Sequence, residues 1–308
     1  MMLAPIRLMP SYREKVWGTT DLEPWFPRTS DKIGEVWFTF DDNRFENGRR
    51  LVDVMRELGP RFHGTNWTSE EFPILTKFIF TSDRLSVQVH PDDERAREWE
   101  NWRGKTEMWH VLRAGPGAAI ALGLCRPVTR DRLREIAVSG EIEQLMRWFP
   151  VQPGDTFFTP TGTIHAIGAG IALCEIQQNS DLTYRLYDYG RPRELHLDKA
   201  VAVADLSPHP GQSTPREIRP GRRLLACCRH FATELWEVAG AVEYRPDARH
   251  LDILMIIDGA GALAGRDCAA GDVWIVPAAA SPFPVQGRVR FLRTYVPGAD
   301  MYTGKLGI

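Results

Sequence analysis

A chain of 308 residues, 43% hydrophobic and 25% charged, can bury a substantial core and remain in water, so disorder is set aside and two domains of ordinary size are expected. The formal net charge is −2 with Lys and Arg scattered along the chain, which leaves nothing to draw the whole molecule to nucleic acid or to an anionic membrane. No segment approaches the roughly 20 apolar residues that span a bilayer, no signal-type apolar run opens the chain, and five cysteines without a CxxC pair argue against a disulfide framework or a thiolate zinc site; a cytoplasmic protein with reduced thiols is expected.

Helical periodicity first occurs at 49–58, with apolar residues at 51, 52, 54, 55 and 58. Strands are predicted at Ile74–Phe80 and 85–89, short β-branched or aromatic runs bounded by turn residues. Helices are expected again at 92–102 and 130–148, then strands at Thr156–Thr159 and 253–257. The stretch Ser207-Pro-His-Pro-Gly-Gln-Ser-Thr-Pro215, followed by Pro220-Gly221, is dense in turn formers and places a domain boundary there, giving 1–215 and 216–308.

The chain contains an internal repeat. Gly154-Asp-Thr-Phe-Phe-Thr-Pro160-Thr-Gly162-Thr-Ile-His165 is matched by Gly271-Asp-Val-Trp-Ile-Val-Pro277, after which Ala279 replaces the second Gly and Pro282 replaces the His. Upstream, a strand running into a Gly115-Pro-Gly117 turn is matched by one running into Gly259-Ala-Gly261. The first copy has 36 residues between Gly117 and Gly154 and the second only nine between Gly261 and Gly271, the extra length holding the predicted helix at 130–148. A Gly-Asp turn, a strand, and a Pro-x-Gly turn leading to an inward His resemble the second half of the cupin signature. That resemblance implies small double-sheet β-barrels with a metal in the mouth, the ligand kept in the first copy and lost in the second.

Along Leu85-Ser-Val-Gln88-Val-His90, strand alternation puts Gln88 and His90 on one face. Glu107 follows 17 residues after His90, and His165 completes the group. One carboxylate, two imidazoles and an amide oxygen form a mixed nitrogen and oxygen set that suits zinc and leaves room for water or substrate oxygens. Taken alone, His165 reads as a packed histidine. Two same-face polar residues on an apolar strand, however, are costly to bury without partners.

Four motifs in order, Gln88-Val-His-Pro-Asp-Asp93, Gly104-Lys-Thr-Glu-Met-Trp109, Pro160-Thr-Gly-Thr-Ile-His-Ala-Ile-Gly168 and Ser180-Asp-Leu-Thr-Tyr-Arg-Leu-Tyr-Asp-Tyr-Gly190, resemble the type I mannose-6-phosphate isomerases. Glu14-Lys-Val-Trp-Gly18 and Pro73-Ile-Leu-Thr-Lys77 do so too, and the length resembles the short bacterial members. The resemblance implies a mainly β chain of two cupin-like jelly-roll barrels: a catalytic domain over 1–215, carrying a few helices and a helical insertion, and a metal-free one over 216–308. It implies one zinc ion (Zn2+) per chain on Gln88, His90, Glu107 and His165, and interconversion of mannose 6-phosphate and fructose 6-phosphate through an enediol(ate). Glu175, Lys105 and Arg185 are implied as catalytic residues, and Lys77, Ser86, Lys105, Arg185 and Trp17 as substrate contacts.

Singly, Lys77, Lys105 and Arg185 read as surface charges, but around a metal they form the local cationic surface that phosphoryl oxygens require. The expected partner is a small-molecule sugar phosphate, with no nucleic acid and no membrane, acting on a monomer or weak homodimer. Two rivals are a metal-dependent cupin oxygenase, disfavoured by Gln88 in place of the first His of a His-x-His pair, and a catalytically silent sugar-phosphate-binding protein, disfavoured by the intact metal positions.

Overall fold

The computed structural model describes residues 3–299 and 301. It is mainly β, built from antiparallel sheets. One sheet of six strands runs in the order Ser11–Thr19, Ile33–Trp37, Ile74–Phe80, Ile171–Gln178, Glu107–Ala114, Thr156–Thr159. A second, of five, runs Tyr184–Tyr187, Val87–Val89, His165–Ile167, Ala119–Leu124, Met146–Pro150. Both contribute to one apolar cluster, with Ile79, Trp109, Val111 and Leu173 from the first and Ile120, Leu122 and Ile167 from the second.

Strands Ile74–Phe80 and Ile171–Gln178 are buried at every position, which is why they read as continuous runs rather than alternations. Ile79 packs towards the five-stranded sheet. Phe78 and Phe80 face the other way, joining Phe26, Leu225, Phe231 and Leu292 in a cluster that binds the first half of the chain to the second. Each fully buried Phe contributes about 1.5–3 kcal/mol by area removed from water.

The first two expected helices are present as Leu51–Leu58 and Asp93–Glu100. Asp92 caps the second, its carboxylate accepting the Arg95 N–H at 2.8 Å, and left-handed Asn101 ends it. The expectation of one helix over 130–148 requires correction. Helix Arg130–Ser139 stops at Gly140 (φ 81°), a single turn Ile142–Leu145 follows, and 146–148 lie in strand Met146–Pro150, with Trp148 opposite Ala121. Left-handed glycine breaks the helix, and the Trp148-Phe149 pair prefers a pleated surface. The helix buries Leu133, Ile136 and Ala137 against Val87, Val89 and Leu186 of the five-stranded sheet.

In the second half, strands Arg216–Arg219, Arg222–Cys227, Ala232–Tyr244, Phe283–Tyr295, Asp252–Leu263 and Val273–Val276 form a sheet that strand Ile6–Leu8 extends by pairing with the last. The repeat is visible in the backbone: Gly154 and Gly271 have φ of 96° and 97°, and Asp155 and Asp272 each accept the N–H three residues back, from Gln152 and Ala269. The expected Gly259-Ala-Gly261 turn is corrected, since strand Asp252–Leu263 runs straight through it. A Cβ on Gly261 would lie 2.0 Å from the Gln286 carbonyl oxygen, so the glycine serves close approach of strand Phe283–Tyr295. Among the described residues, no helix is long and apolar enough to cross a membrane.

Candidate active site

The two sheets of the first half deliver the expected residues to one place. From the six-stranded sheet, Glu175 lies opposite Lys77 on one neighbouring strand and Trp109 on the other, while Gln177 lies opposite Glu107. From the five-stranded sheet, Gln88 lies opposite His165 on one side and Arg185 on the other. The Pro160-Thr-Gly162 turn closes the arrangement: left-handed Gly162 donates its N–H to the His90 carbonyl at 2.8 Å, which sets His165 beside His90 with ring centroids 4.8 Å apart.

His90, Glu107 and His165 converge, with one ligand atom from each within 4.8 Å of the others. His165 Nε2 is 3.3 Å from Glu107 Oε1, and His90 Nε2 is 3.6 Å from Oε2. Both imidazoles are held from behind, His90 Nδ1 donating to the Leu182 carbonyl and His165 Nδ1 to the Thr163 carbonyl, each at 2.9 Å. These bonds place the proton on Nδ1 and leave the Nε2 lone pairs facing the carboxylate, the tautomer of a metal-ligating histidine.

Neither Glu107 oxygen has a hydrogen-bond partner among the described residues, although Lys105 Nζ lies 2.8 Å from Oε2 as an ion pair. An acceptor-only group with 0% exposure and no aligned donor fits a cation ligand. Gln88 presents its amide nitrogen at 3.1 Å from His165 Nε2, while its oxygen accepts from the Ser86 hydroxyl at 3.2 Å. A half-turn of the amide, whose two ends are of similar shape, would bring the oxygen to the same point.

The electrostatics agree with this fit. Burial pushes His165 down to about 3 and, with Lys105 and His165 adding to it, His90 well below its ordinary value, so both rings are neutral. Burial raises the Glu107 carboxyl to about 7 despite Lys105. Burial acts in the same sense on Glu175, but Lys105 and Lys77 outweigh it and hold that carboxyl below the usual range. Lys105 stays charged, since Glu107 and Glu175 outweigh its burial.

A cleft of about 310 Å³ opens beside this group and meets it at Gln88 and Lys105, while His90, Glu107 and His165 lie behind its lining. Lys77, Ser86, Gln88, Lys105, Glu175, Arg185 and Trp17, all expected from sequence, line it. Lys77 Nζ is 3.2 Å from Glu175 Oε1, Lys105 Nζ is 3.6 Å from the same oxygen, and Trp109 Nε1 donates to Oε2 at 3.3 Å. Arg185 donates to the Glu194 carbonyl at 2.7 Å, and its Nε has no partner among the described residues. Trp17 is 3% exposed and packs in the neighbouring apolar cluster, so little of it is offered to the cleft.

No family model matches the chain. Mannose-6-phosphate isomerase ManA of Bacillus subtilis is 33% identical to it over 93% of this chain and 97% of its own. The chain belongs to the mannose-6-phosphate isomerase family. The mannose-6-phosphate isomerase of Streptococcus mutans is also 33% identical, over 84% of this chain and 87% of its own. The crystal structure of a mannose 6-phosphate isomerase from Bacillus subtilis matches with a TM-score of 0.87 at 31% identity, covering 95% of this chain and 99% of that one.

In this member of the mannose-6-phosphate isomerase family the cleft also includes residues that sequence reading passed over, among them Lys15, Glu35, Trp37 and Arg193. Trp37 lays its ring 4.6 Å from Lys77 Nζ and donates its indole N–H to Glu35 at 2.6 Å. Lys15 stands inside the Glu14-Lys-Val-Trp-Gly18 motif and could have been taken from it. Arg193 lies three residues past Gly190, the end of the last motif, and binds Asp188 through two contacts of 2.6 Å.

Proposed function

We propose that this chain interconverts mannose 6-phosphate and fructose 6-phosphate in the cleft beside Glu175, with one zinc ion held by Gln88, His90, Glu107 and His165. The activity follows the name its relatives carry over nearly their whole length. The metal reading is carried by one observation: two imidazole Nε2 lone pairs and a buried carboxylate without an aligned donor face a common point. Mixed nitrogen and oxygen ligands without thiolate belong to zinc sites that keep a position for substrate. When bound, zinc supplies a Lewis acid that polarises a carbonyl and stabilises negative charge on neighbouring oxygens.

The chain's own residues then account for the proton. In an aldose to ketose conversion the proton on C2 of the opened sugar leaves, an enediol(ate) forms, and a proton returns at C1. Glu175, ionised between Lys77 and Lys105, is the base we assign to this transfer. Lys105, within reach of Glu107, Glu175 and the His90 Nε2 at 3.1 Å, fixes the carboxylates relative to each other and faces the oxygens that gain charge. Arg185, whose Nε has no partner among the described residues, also lines the cleft and suits the phosphoryl group, and Arg193, its fork held by Asp188, adds positive charge to the same lining.

The same reading takes the facing sheets of the first half as a cupin-like jelly roll and divides the chain near residue 215, with strand Ile6–Leu8 completing the second sheet. The decisive experiment is metal analysis coupled to an isomerase assay. Purified protein should hold about one zinc per chain on this donor set, chelation should abolish turnover, and added zinc should restore it. Full turnover in a rigorously metal-free sample sinks the proposal.

A further inference from the structure

Ladder register relates the two halves of the chain residue by residue. Thr159 and Val276 precede the two prolines of the repeat, and they pair with Glu107 and Asp252 respectively. Two residues beyond Glu107, Trp109 lies opposite Glu175; two beyond Asp252, Leu254 lies opposite Arg293. On the next strand Lys77 lies opposite Glu175 and Glu234 opposite Arg293. Asp252, Arg293 and Glu234 therefore occupy in the second half the places of Glu107, Glu175 and Lys77 in the first. A buried ion pair is kept with its polarity reversed: Lys77 to Glu175 at 3.2 Å, and Glu234 to Arg293 at 3.2 Å.

The second cluster is closed by its own side chains. Arg293 Nε donates to Asp252 Oδ1 and to the Tyr244 hydroxyl oxygen, both at 3.0 Å, and the Tyr244 hydroxyl donates to Asp252 Oδ2 at 2.7 Å. The Tyr295 hydroxyl donates to Glu234 at 3.0 Å, and His250 stacks on Tyr295 with Nδ1 3.2 Å from Asp252 Oδ1. Asp252 is fully buried and Glu234 nearly so, and the guanidinium between them is the cation both acids address. A charged carboxylate in a low-dielectric interior is costly without such a partner.

We infer that the second half of the chain retains a sealed counterpart of the catalytic centre, in which the guanidinium of Arg293 is a permanently tethered cation serving Asp252 as a metal ion serves Glu107. This rests on the metal reading of the first half. It also assigns a ligand class: once the side chain is shortened, the space between Asp252 and Glu234 is a site for a small planar cation of the guanidinium type.

The test is chemical rescue of Arg293→Ala. Its Tm should fall by on the order of 10 °C, recover by at least half in millimolar guanidinium or methylguanidinium, and not respond to equal sodium or tetramethylammonium. Isomerisation and metal content at a permissive temperature should match the wild type. Equal response to guanidinium and sodium overturns the inference. Should Arg293→Ala not fold, Arg293→Lys and Arg293→Met decide: a lysine variant that melts cooperatively at a clearly higher temperature than the methionine variant of similar shape supports a cation between the two acids, and a lysine variant no more stable than the methionine one overturns it. Metal content and turnover of the wild type are measured beside these, so a failure of the isomerase reading shows there, independently of the rescue.

Discussion

Glu175→Gln separates the proton-transfer role from the metal site. The carboxylate is 4% exposed, with Oε1 3.2 Å from Lys77 Nζ and Oε2 accepting from Trp109 at 3.3 Å. Glutamine has nearly the same shape, and its amide oxygen can keep the contact with Lys77. Its NH2 group then faces the Trp109 N–H, donor against donor, and a buried ammonium loses its counter-charge. Breaking a buried pair costs about 3–5 kcal/mol. The lower end applies, because Lys77 retains the Trp37 face at 4.6 Å and Lys105 retains Glu107 at 2.8 Å. Removing a positioned base costs about 10²–10⁴-fold in rate, or roughly 3–5 kcal/mol of barrier. Turnover of mannose 6-phosphate, followed in a coupled assay at saturating substrate, should thus fall at least about 100-fold. Metal content should stay near wild type, since Glu175 is not among the converging ligand atoms, whereas KM should rise modestly as Lys77 and Lys105 lose the carboxylate that positions them. A kcat within about threefold of wild type removes Glu175 from proton transfer by the same scale, and loss of metal in step with loss of kcat shows that the two roles are not separable.

Glu107→Gln should behave in the opposite way, losing bound metal first, because a neutral amide replaces the single carboxylate among the converging ligands; metal analysis showing wild-type stoichiometry contradicts the ligand assignment. His110 is buried against Thr156 Oγ1 at 2.9 Å, and burial, followed by the charges of Arg290 and Arg223, pushes it from 6.5 down to about 3. The unfolded chain then takes up a proton near pH 6.5 that the folded chain refuses, so stability present above that pH is lost on acidification, by about 2 kcal/mol at pH 5. The stability gap between wild type and His110→Asn should narrow by that amount between pH 7.5 and pH 5, whereas parallel denaturation curves would falsify the assignment. Gly261→Ala places a Cβ against the Gln286 carbonyl and should lower unfolding free energy by about 3 kcal/mol, the upper range for overpacking; a denaturation midpoint equal to wild type would show that the strands can separate there at no cost.

What the sequence discloses depends on whether the deciding contact is local. Strand Ile74–Phe80 is legible because its apolar run is interrupted by one lysine, and Lys77 is the residue that proves to face Glu175. Gln88, His90 and His165 are legible because polar side chains on short apolar strands need buried partners. Gly259-Ala-Gly261 misleads, since the same two glycines that would close a local turn here admit the carbonyls of Arg288 and Gln286 from a strand more distant in sequence. The helix expected to reach 148 fails for a related reason: apolar spacing at 3.6 residues persists past Gly140, but pairing of Trp148 with Ala121 decides the backbone. Trp37 and Glu35 carry no signal, because an aromatic and an acid on an ordinary strand gain meaning only from the lysines brought beside them. The repeat is readable up to Pro277, yet Arg293 and Glu234 carry charges opposite to those of Glu175 and Lys77, and only ladder register pairs them, together with the acid Asp252, with Glu175, Lys77 and Glu107.

Net charge illustrates the same distinction between sum and arrangement. The chain carries −2, which by itself disfavours an anionic substrate. Charged residues lining the cleft are nonetheless five cations, Lys15, Lys77, Lys105, Arg185 and Arg193, against three acids, Glu35, Glu175 and Asp181. A surplus of positive charge within a Debye length of about 8 Å acts on a phosphoryl group far more than the remainder of the surface, which salt screens. The acids reduce that surplus and at the same time hold the cations in place, Glu35 on Lys15, Glu175 on Lys77 and Asp188 on Arg193. On the proposed reading, the Glu175 carboxylate thus serves two ends. Its charge sets the positions of the cations around the sugar, and when those cations turn to substrate oxygens, the field that keeps its pKa low relaxes and its strength as a base rises.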